Sequence, residues 1–296
     1  MSEEIRIGDR VIRITHGDKA LFPESGITKR ELIEYYRMVA DTMLPYLRDR
    51  PLTMLRYPDG IHGKSFFQKD APDYFPEWIK LVQVAKAGGS VSHVVCNDAA
   101  TLVYFANQAC ITPHIWTSRI DQVHSPDLVV FDLDPPAGRF AEVRFAAKLL
   151  RERLETYGLV PFVQTTGSKG LHVVVPIVRG PEFDEVGRIA RAIAEELVDE
   201  EPQRLTTEHR KDKRAGRVFI DIWRNAYAQT FVSPYGVRPL PQAPIAIPIE
   251  WDEVDEVEPQ SYNMANIEER LKRSGDPWKG IWKKARSFEQ TNPGDA

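Results

Sequence analysis

Two aspartates two residues apart interrupt and end an apolar run in the segment Asp127-Leu-Val-Val-Phe-Asp-Leu-Asp134. Residues two apart in a strand point to the same face, so Asp132 and Asp134 would present parallel carboxylates. Such carboxylates repel one another unless a cation lies between them, and hard oxygen ligands suit Mg²⁺ or Mn²⁺. Pro135 and Pro136 end the strand just beyond. The pattern predicts a metal site at the end of a sheet.

A third acid, Asp221, interrupts the apolar residues of a second predicted strand, Val218–Trp223. Three carboxylates suit a pair of divalent ions about 3.5–4 Å apart, one activating an attacking hydroxyl and the other holding phosphates and the leaving oxygen. Alone, Asp221 could equally be a buried structural acid, and Asp132 and Asp134 could simply begin a loop. An aspartate within an apolar strand is costly without a partner, which favours the metal site.

A glycine-containing loop lies between the two aspartate-bearing strands. Gly167 and Gly170 predict a turn whose backbone amides face an anion, and Ser168 and Lys169 add a donor and a positive charge. The spacing is not that of a Walker A loop, and a plain hairpin turn is the alternative. Its place between the strands favours a triphosphate-binding loop, with His172 beginning the outgoing strand.

A basic run leads into the strand of Asp221. Charge runs are often only solvated surface, but the end of this one must lie near the predicted metals. Arg214 is therefore a candidate for neutralising phosphate charge. The cations of the run are Arg204, Arg210, Lys211, Lys213, Arg214 and Arg217.

Two features of the N-terminal part suggest nucleic-acid contact. Phe66 and Phe67 are adjacent on a predicted strand, so one ring would be buried and the other exposed as a base-stacking platform, with burial of both as the alternative. Lys19 and Lys29 flank the start of a helix predicted from the capping box at Thr28, where a cation is unfavourable unless an anion is bound.

Helices alternate with strands along the chain, which predicts an α+β (α/β) core. We divide 1–296 into an N-terminal lobe (1–120), a catalytic core (121–248) and an acidic C-terminal segment (249–296). The net charge of −4 does not by itself indicate a polyanion partner, and two cysteines suit a reducing cytosol. No apolar run reaches the roughly 18 residues of a spanning helix, so we expect a cytoplasmic protein.

Together these residues resemble the polymerase domain of bacterial and archaeal ligase D, in the archaeo-eukaryotic primase superfamily. No single segment is persuasive alone, but their order over nearly the whole chain is hard to obtain by chance. The matching segments are Asp18–Pro23, Gly26–Lys29, Phe66–Lys69, Asp132–Pro135, Gly167–His172, Arg214–Asp221 and Ser233–Arg238.

The resemblance implies a primase-type core with an antiparallel central sheet flanked by helices. It implies template-dependent addition of NTPs or dNTPs with two Mn²⁺ or Mg²⁺ ions, and it makes Asp132, Asp134 and Asp221 the metal triad. It also implies a set of nucleotide contacts: Ser168, Lys169, His172, Arg214, Arg238 and His114.

The resemblance extends to DNA and to partner proteins. It makes Lys19 and Lys29 ligands of the 5′-phosphate downstream of a gap, and Phe66 and Phe67 rings that stack on the template. The family fills gaps and bridges broken ends in non-homologous end joining with Ku and an ATP-dependent DNA ligase. It therefore implies a nucleoid-associated protein with no membrane contact.

Three alternatives remain open. The chain is either a standalone polymerase or a domain of a longer ligase D; its initial Met favours the former, and we expect no ligation by this chain. The sequence Val-Val-Phe-Asp-Leu-Asp resembles the nucleophile motif of haloacid-dehalogenase-type phosphatases. In that family the motif continues with Gly and a hydroxyl residue, whereas here Pro135 and Pro136 follow. A non-catalytic DNA-end-binding scaffold would not need three buried acids.

Overall fold

The computed structural model describes residues 3–136 and 138–288, which form two compact units. The first unit contains 3–116, 232–246 and 263–268, and the second contains 117–231, 247–262 and 269–288. Within the described residues, no helix combines the length and apolarity needed to cross a membrane.

The first unit is built on an antiparallel sheet and two helices. Its elements are β1 (Glu3–Ile7), β2 (Arg10–Ile14), β3 (Ala20–Phe22), β4 (Ile27–Thr28), α1 (Lys29–Leu47), β5 (Leu52–Arg56), β6 (Phe66–Gln68), β7 (Leu81–Lys86), β8 (Gly89–Val94), α2 (Ala99–Asn107) and β9 (Cys110–Trp116). In the main sheet the order is β9-β5-β8-β7, with β6 also paired to β5.

Helix α1 begins where the sequence predicts. The Thr28 hydroxyl accepts from the Glu31 amide and the Glu31 carboxylate accepts from the Thr28 amide at 2.7 Å, so the capping box is confirmed. Leu32, Val39 and Met43 are fully buried, as their helical spacing predicts. Lys29 is the first residue of this helix, and its amide donates to the Lys19 carbonyl at 2.9 Å.

The second unit is organised around a six-stranded sheet. Its elements are β10 (Ser118–Arg119), β11 (Gln122–Pro126), β12 (Leu128–Asp134), α3 (Phe140–Thr156), β13 (Phe162–Thr165), β14 (Leu171–Pro176), α4 (Phe183–Glu200), β15 (Leu205–Thr206), β16 (Val218–Asp221), β17 (Thr230–Val232), β18 (Pro248–Ile249) and α5 (Ile267–Ser274). Strand β17 and helix α5 each span a boundary between the units.

The order of this sheet is β15-β16-β12-β14-β13-β18, and every pair is antiparallel except β15 with β16. Strand β12 is central, so its apolar residues are covered on both faces, which explains the nearly continuous apolar run. The buried sides of α3 and α4 contain Leu150 and Ile193. The mixed α/β fold with antiparallel sheets agrees with the predicted class.

Several elements depart from the sequence-based prediction. Strands β7 and β9 were not expected, because β7 alternates only weakly and β9 contains Pro113, which disfavours a strand. The segment 238–248 contains four prolines, and such a composition predicts the largely irregular backbone that it adopts. Chain termini are often poorly ordered, which predicts poor order for the final residues, and these lie partly outside the described part of the chain.

Candidate active site

The predicted carboxylates meet at the end of the central strand of the second unit. Asp132 lies directly opposite Asp221 of β16 and opposite His172 of β14. Asp134, two residues further along β12, is on the same face as Asp132. Register alone therefore brings together three acids that are far apart in sequence.

Asp132 is the most buried of the three, with 7% of its surface exposed. Burial favours the neutral acid, but His172 and Arg224 outweigh it and lower the pKa of Asp132 to about 2. The Nε2 atom of His172 lies 3.4 Å from Asp132 Oδ1, and the amide of Gln164 donates to His172 Nδ1 at 3.0 Å. Since Nδ1 accepts, Nε2 carries the proton that faces Asp132.

Asp134 and Asp221 show the opposite behaviour. Burial, with the negative charge of Asp132 adding to it, raises the pKa of both carboxyls. A backbone hydrogen bond from Trp223 to Asp221 at 2.8 Å offsets part of the burial cost. Burial, with the charge of Asp132 adding to it, thus disfavours ionisation of Asp134 and Asp221 in the absence of further positive charge.

Arg224 is a site residue that the sequence reasoning missed. Its guanidinium lies 3.2 Å from Asp132 and 3.7 Å from Asp221, so it links the two opposed acids. The turn that carries it is fixed by Asn225, whose side chain exchanges two 2.8 Å hydrogen bonds with the backbone of Val130. Its position three residues after Asp221 was the available signal.

The donor set suits a hard divalent cation. Three carboxylates offer oxygen ligands, and the raised pKa values of Asp134 and Asp221 show that added positive charge would stabilise their ionised forms. Among residues 3–136 and 138–288, no three His, Cys, Asp or Glu side chains already converge as ligands. Arg224 instead supplies the positive charge between Asp132 and Asp221.

The glycine-containing loop has a different internal geometry from the predicted one. The amides of Ser168, Lys169 and Gly170 all donate to the Thr166 hydroxyl, at 3.1–3.3 Å, so the expectation that they face an anion is wrong. A Thr hydroxyl within the turn satisfies these donors locally. Any anion would therefore meet the Ser168 and Lys169 side chains rather than the amides.

Gly170 is required by close packing. A Cβ at this position would lie 2.0 Å from the carbonyl oxygen of Leu133, next to the aspartate pair. The loop is thus pressed against the end of β12. This contact places Ser168 and Lys169 beside Asp134.

Arg214 also reaches the carboxylates. Its guanidinium lies 3.9 Å from Asp134 and 3.8 Å over the ring of Phe219, and it donates to the carbonyls of Glu208 and His209. These contacts fix its orientation. The basic run therefore does end at the carboxylate site, as its position predicts.

A cavity of about 980 Å³ opens at this end of the second unit. Ser168, Lys169 and Arg214 line it together with Asp134. The segment Glu258–Gln260, to which the sequence reasoning gave no role, lines it too, and the Gln260 side-chain amide donates to the Ser168 carbonyl at 2.8 Å. The cavity joins the acidic site to a cationic wall.

The first unit holds the predicted phosphate-binding lysines as neighbours. The Lys29 ammonium is buried and donates to the Thr15 hydroxyl and the Asn107 carbonyl, both at 3.1 Å, while Lys19 pairs with Asp59. Burial, followed by the charge of Lys19, lowers the pKa of Lys29 to about 8. Two adjacent cations, one desolvated, favour an anion beside them.

The phenylalanines are more exposed than predicted. Phe66 and Phe67 have 42% and 58% of their surface exposed, so the expectation that at least one ring is buried is wrong. Strand β6 is three residues long and, among the strands in the described part of the chain, pairs only with β5. The Arg56 guanidinium lies 5.5 Å from the Phe66 ring, and His114 lies edge-on to Phe67 at 5.4 Å.

The remaining predicted nucleotide contacts, His114 and Arg238, belong to the first unit. His114 lies on β9 opposite Thr53 of β5. Arg238 follows Val237, and its amide donates to the Pro244 carbonyl at 2.7 Å. Both side chains are partly exposed.

Within the second unit, opposed acids at a sheet end and a cationic cavity beside them are typical of a nucleotidyl-transfer site. The family model "LigD, primase-polymerase domain" matches residues 28–278. The chain therefore belongs to the LigD primase-polymerase domain family, whose members are nucleotidyltransferases and depend on metal ions.

Individual relatives agree. The chain is 32% identical over 273 residues to the multifunctional non-homologous end joining protein LigD of Mycolicibacterium smegmatis, covering 90% of this chain and 35% of that protein. It is 31% identical to the bifunctional LigD of Bacillus subtilis, covering 90% and 43%. The chain thus spans less than half the length of these relatives.

A solved structure gives the same result for the fold. The polymerase domain from Mycobacterium tuberculosis Ligase D, in complex with DNA, is 30% identical and superposes with a TM-score of 0.87. The match covers 93% of this chain and 99% of that one. The predicted family and fold class are confirmed.

Proposed function

We propose that this chain is a template-dependent polymerase that adds NTPs or dNTPs to primers and fills gaps at broken DNA ends. The observation that carries the proposal is the register of β12 and β16, which sets Asp132 against Asp221 with Asp134 beside them. Site, cavity and family all favour transfer of a nucleotidyl group over hydrolysis or binding alone.

We assign Asp132, Asp134 and Asp221 as the ligands of two Mn²⁺ or Mg²⁺ ions. When bound, the ions would supply activation of the primer hydroxyl and neutralisation of phosphate charge. His172 holds Asp132 from the opposite strand, which keeps its carboxylate ionised and oriented. Arg224 would have to share these carboxylates with the ions.

The cationic wall of the cavity would bind the nucleotide. Lys169 and Arg214 offer positive charge and Ser168 a hydroxyl, all lining the same space as Asp134. We assign His114 and Arg238 as further nucleotide contacts on the strength of the sequence motifs. An incoming triphosphate would meet fixed arginine and mobile lysine donors there.

The first unit would bind the DNA end. Lys19 and Lys29 would hold a 5′-phosphate downstream of a gap, and Phe66 and Phe67 would stack on template bases. We assign 1–120 to these contacts, 121–248 to catalysis and 249–296 to an accessory segment. The last assignment includes Gln260, which supports the loop of Ser168.

The biological setting follows from the relatives, whose names place them in non-homologous end joining. We propose that this chain acts there on gapped or broken DNA at the nucleoid, with Ku and an ATP-dependent DNA ligase as partners. A haloacid-dehalogenase-type phosphatase and a non-catalytic scaffold are not favoured, because the family match covers the acids in question.

The test is extension of a labelled primer on a gapped template with Mn²⁺. The account predicts addition of the nucleotide complementary to the templating base, a switch of nucleotide when that base is changed, and loss on chelation with EDTA. Addition that ignores the templating base, or none at all, would refute template-dependent polymerisation. Comparing ribonucleotides with deoxynucleotides in the same assay would define the preferred substrate.

A further inference from the structure

Five cationic side chains line the cavity beside the acids of the second unit, and they differ in how many of their donors are hydrogen-bonded within the protein. Three are arginines whose guanidinium groups are held by backbone carbonyls. The cations are Arg139, Lys169, Lys211, Arg214 and Arg217.

The arginines are largely committed to the fold. Arg217 donates to the carbonyls of Arg214, Pro202 and Lys213, and Arg139 donates to the carbonyl of Gly216. Arg214 donates to two carbonyls and lies over Phe219. These contacts shape the cavity wall and leave the arginines fewer donors for a ligand.

Lys211 differs from the arginines. It lies at the start of the 3₁₀ helix Lys211–Lys213 and is exposed, and its ammonium has no hydrogen bond, ion pair or ring contact to any residue the structure describes. Arg214, one turn along, lies 3.9 Å from Asp134, whereas no described carboxylate lies within 4.0 Å of Lys211. Lys211 is therefore a cation whose ammonium has no partner among the described residues and lies more than 4.0 Å from every described carboxylate.

We propose that Lys211 is a substrate-binding residue that contacts the distal phosphates of the incoming nucleoside triphosphate, the part released as pyrophosphate. The cationic wall that begins beside Asp134 offers a path for the β- and γ-phosphates of a triphosphate whose α-phosphate lies at the carboxylates. An ammonium with all three donors available suits such an anion. This inference rests on the proposed polymerase function.

Lys213 provides a matched control. It carries the same charge in the same 3₁₀ helix and is equally exposed, yet it is not among the described residues that line the cavity. Substituting either lysine with alanine changes the net charge of the segment identically. A difference between Lys211→Ala and Lys213→Ala therefore reports position and not overall charge.

The experiment measures binding of ATP, inorganic pyrophosphate and AMP by calorimetry with Mn²⁺ present, together with the KM and kcat of primer extension. Lys211→Ala should weaken ATP and pyrophosphate binding roughly tenfold and raise the KM similarly, while AMP binding stays unchanged. Lys213→Ala should match the parent, and Lys211→Arg should restore most of the loss.

Equal ATP and pyrophosphate binding by Lys211→Ala and the parent, or equal losses in Lys211→Ala and Lys213→Ala, would overturn the assignment. A loss of AMP binding as large as that of ATP would also overturn it, because the contact would then not be to the distal phosphates. Absence of primer extension by the parent would instead refute the proposed polymerase function, which the binding measurements do not require.

Discussion

The two units present their candidate functional side chains in contrasting ways. In the second unit, Asp132 is buried and held by His172 and Arg224, and strand register fixes its partners. In the first unit, Phe66 and Phe67 project into solvent from a three-residue strand. Chemistry requires preorganised groups, whereas contact with a long polymer requires exposed ones.

The contrast also separates two kinds of electrostatics. In the second unit, burial, with the negative charge of Asp132 adding to it, disfavours the ionised forms of Asp134 and Asp221. In the first unit, burial, followed by the positive charge of Lys19, disfavours the charged form of Lys29. The acids of the second unit would therefore be stabilised by cations, and the lysines of the first unit by phosphates. Substitutions in the two units should affect different measurements.

The largest expected effect is on catalysis by the second unit. Asp221→Asn should lower kcat by about a thousandfold or more, because it removes one of the three proposed metal ligands. Affinity for gapped DNA should stay within about twofold, since the residues proposed to bind DNA lie in the first unit. Equal losses of DNA affinity and kcat would remove the proposed division of labour.

A smaller effect is expected at the lysines. Lys19→Ala combined with Lys29→Ala should abolish the preference for a 5′-phosphorylated gap, a loss of roughly tenfold to a hundredfold in affinity for that substrate. Lys80→Ala is the control, because Lys80, like Lys19, is paired with a surface aspartate at a short distance. Unchanged discrimination between phosphorylated and unphosphorylated gaps in the double variant would contradict the assignment.

The exposed rings should contribute about tenfold. Phe67→Ala should weaken template binding by roughly that factor, since stacking on one base contributes about 1–3 kcal/mol. Leu81→Ala removes a comparably exposed apolar side chain in the same unit and tests whether the effect is aromatic. Similar losses in both variants would indicate general apolar contact instead of stacking.

The smallest effect is a pH dependence from Lys29. Its folded-state pKa of about 8 means that the free protein loses this charge as pH rises through 8, so binding of a 5′-phosphate should weaken about threefold between roughly pH 7.5 and 8.5. Binding measured by fluorescence anisotropy should lose this dependence in Lys29→Arg, which stays charged. A phosphate preference that strengthens over this range would contradict the assignment.

Much of this architecture is readable in the sequence because local patterns specify it. The Thr28 capping box fixes the start of α1, and Asp132 and Asp134 share a face through the period of a strand. The register that sets Asp132 against Asp221 is not local, since it links strands separated by two helices. The family resemblance supplied what periodicity could not.

The features that the sequence patterns did not predict also depend on contacts that are not local. The sequence places Arg224 three residues after Asp221 but does not show that its side chain also reaches Asp132. That contact depends on the turn fixed by Asn225 and Val130. The hydroxyl of Thr166 accepts hydrogen bonds from the loop amides that were expected to face an anion. Exposure of both Phe66 and Phe67 depends on how β6 is placed in its sheet, which alternation alone does not determine.

The most direct test of the central claim compares Asp132→Asn with Asp127→Asn. Both aspartates are buried to a similar degree, but Asp127 immediately precedes β12 and pairs with Arg119, away from the cavity, whereas Asp132 lies near the other end of the strand. The measurement is Mn²⁺-dependent primer extension on a gapped template, with DNA binding recorded for each variant. The account predicts loss of extension with retained DNA binding for Asp132→Asn and near-parental extension for Asp127→Asn; extension by Asp132→Asn at the parental rate would contradict it.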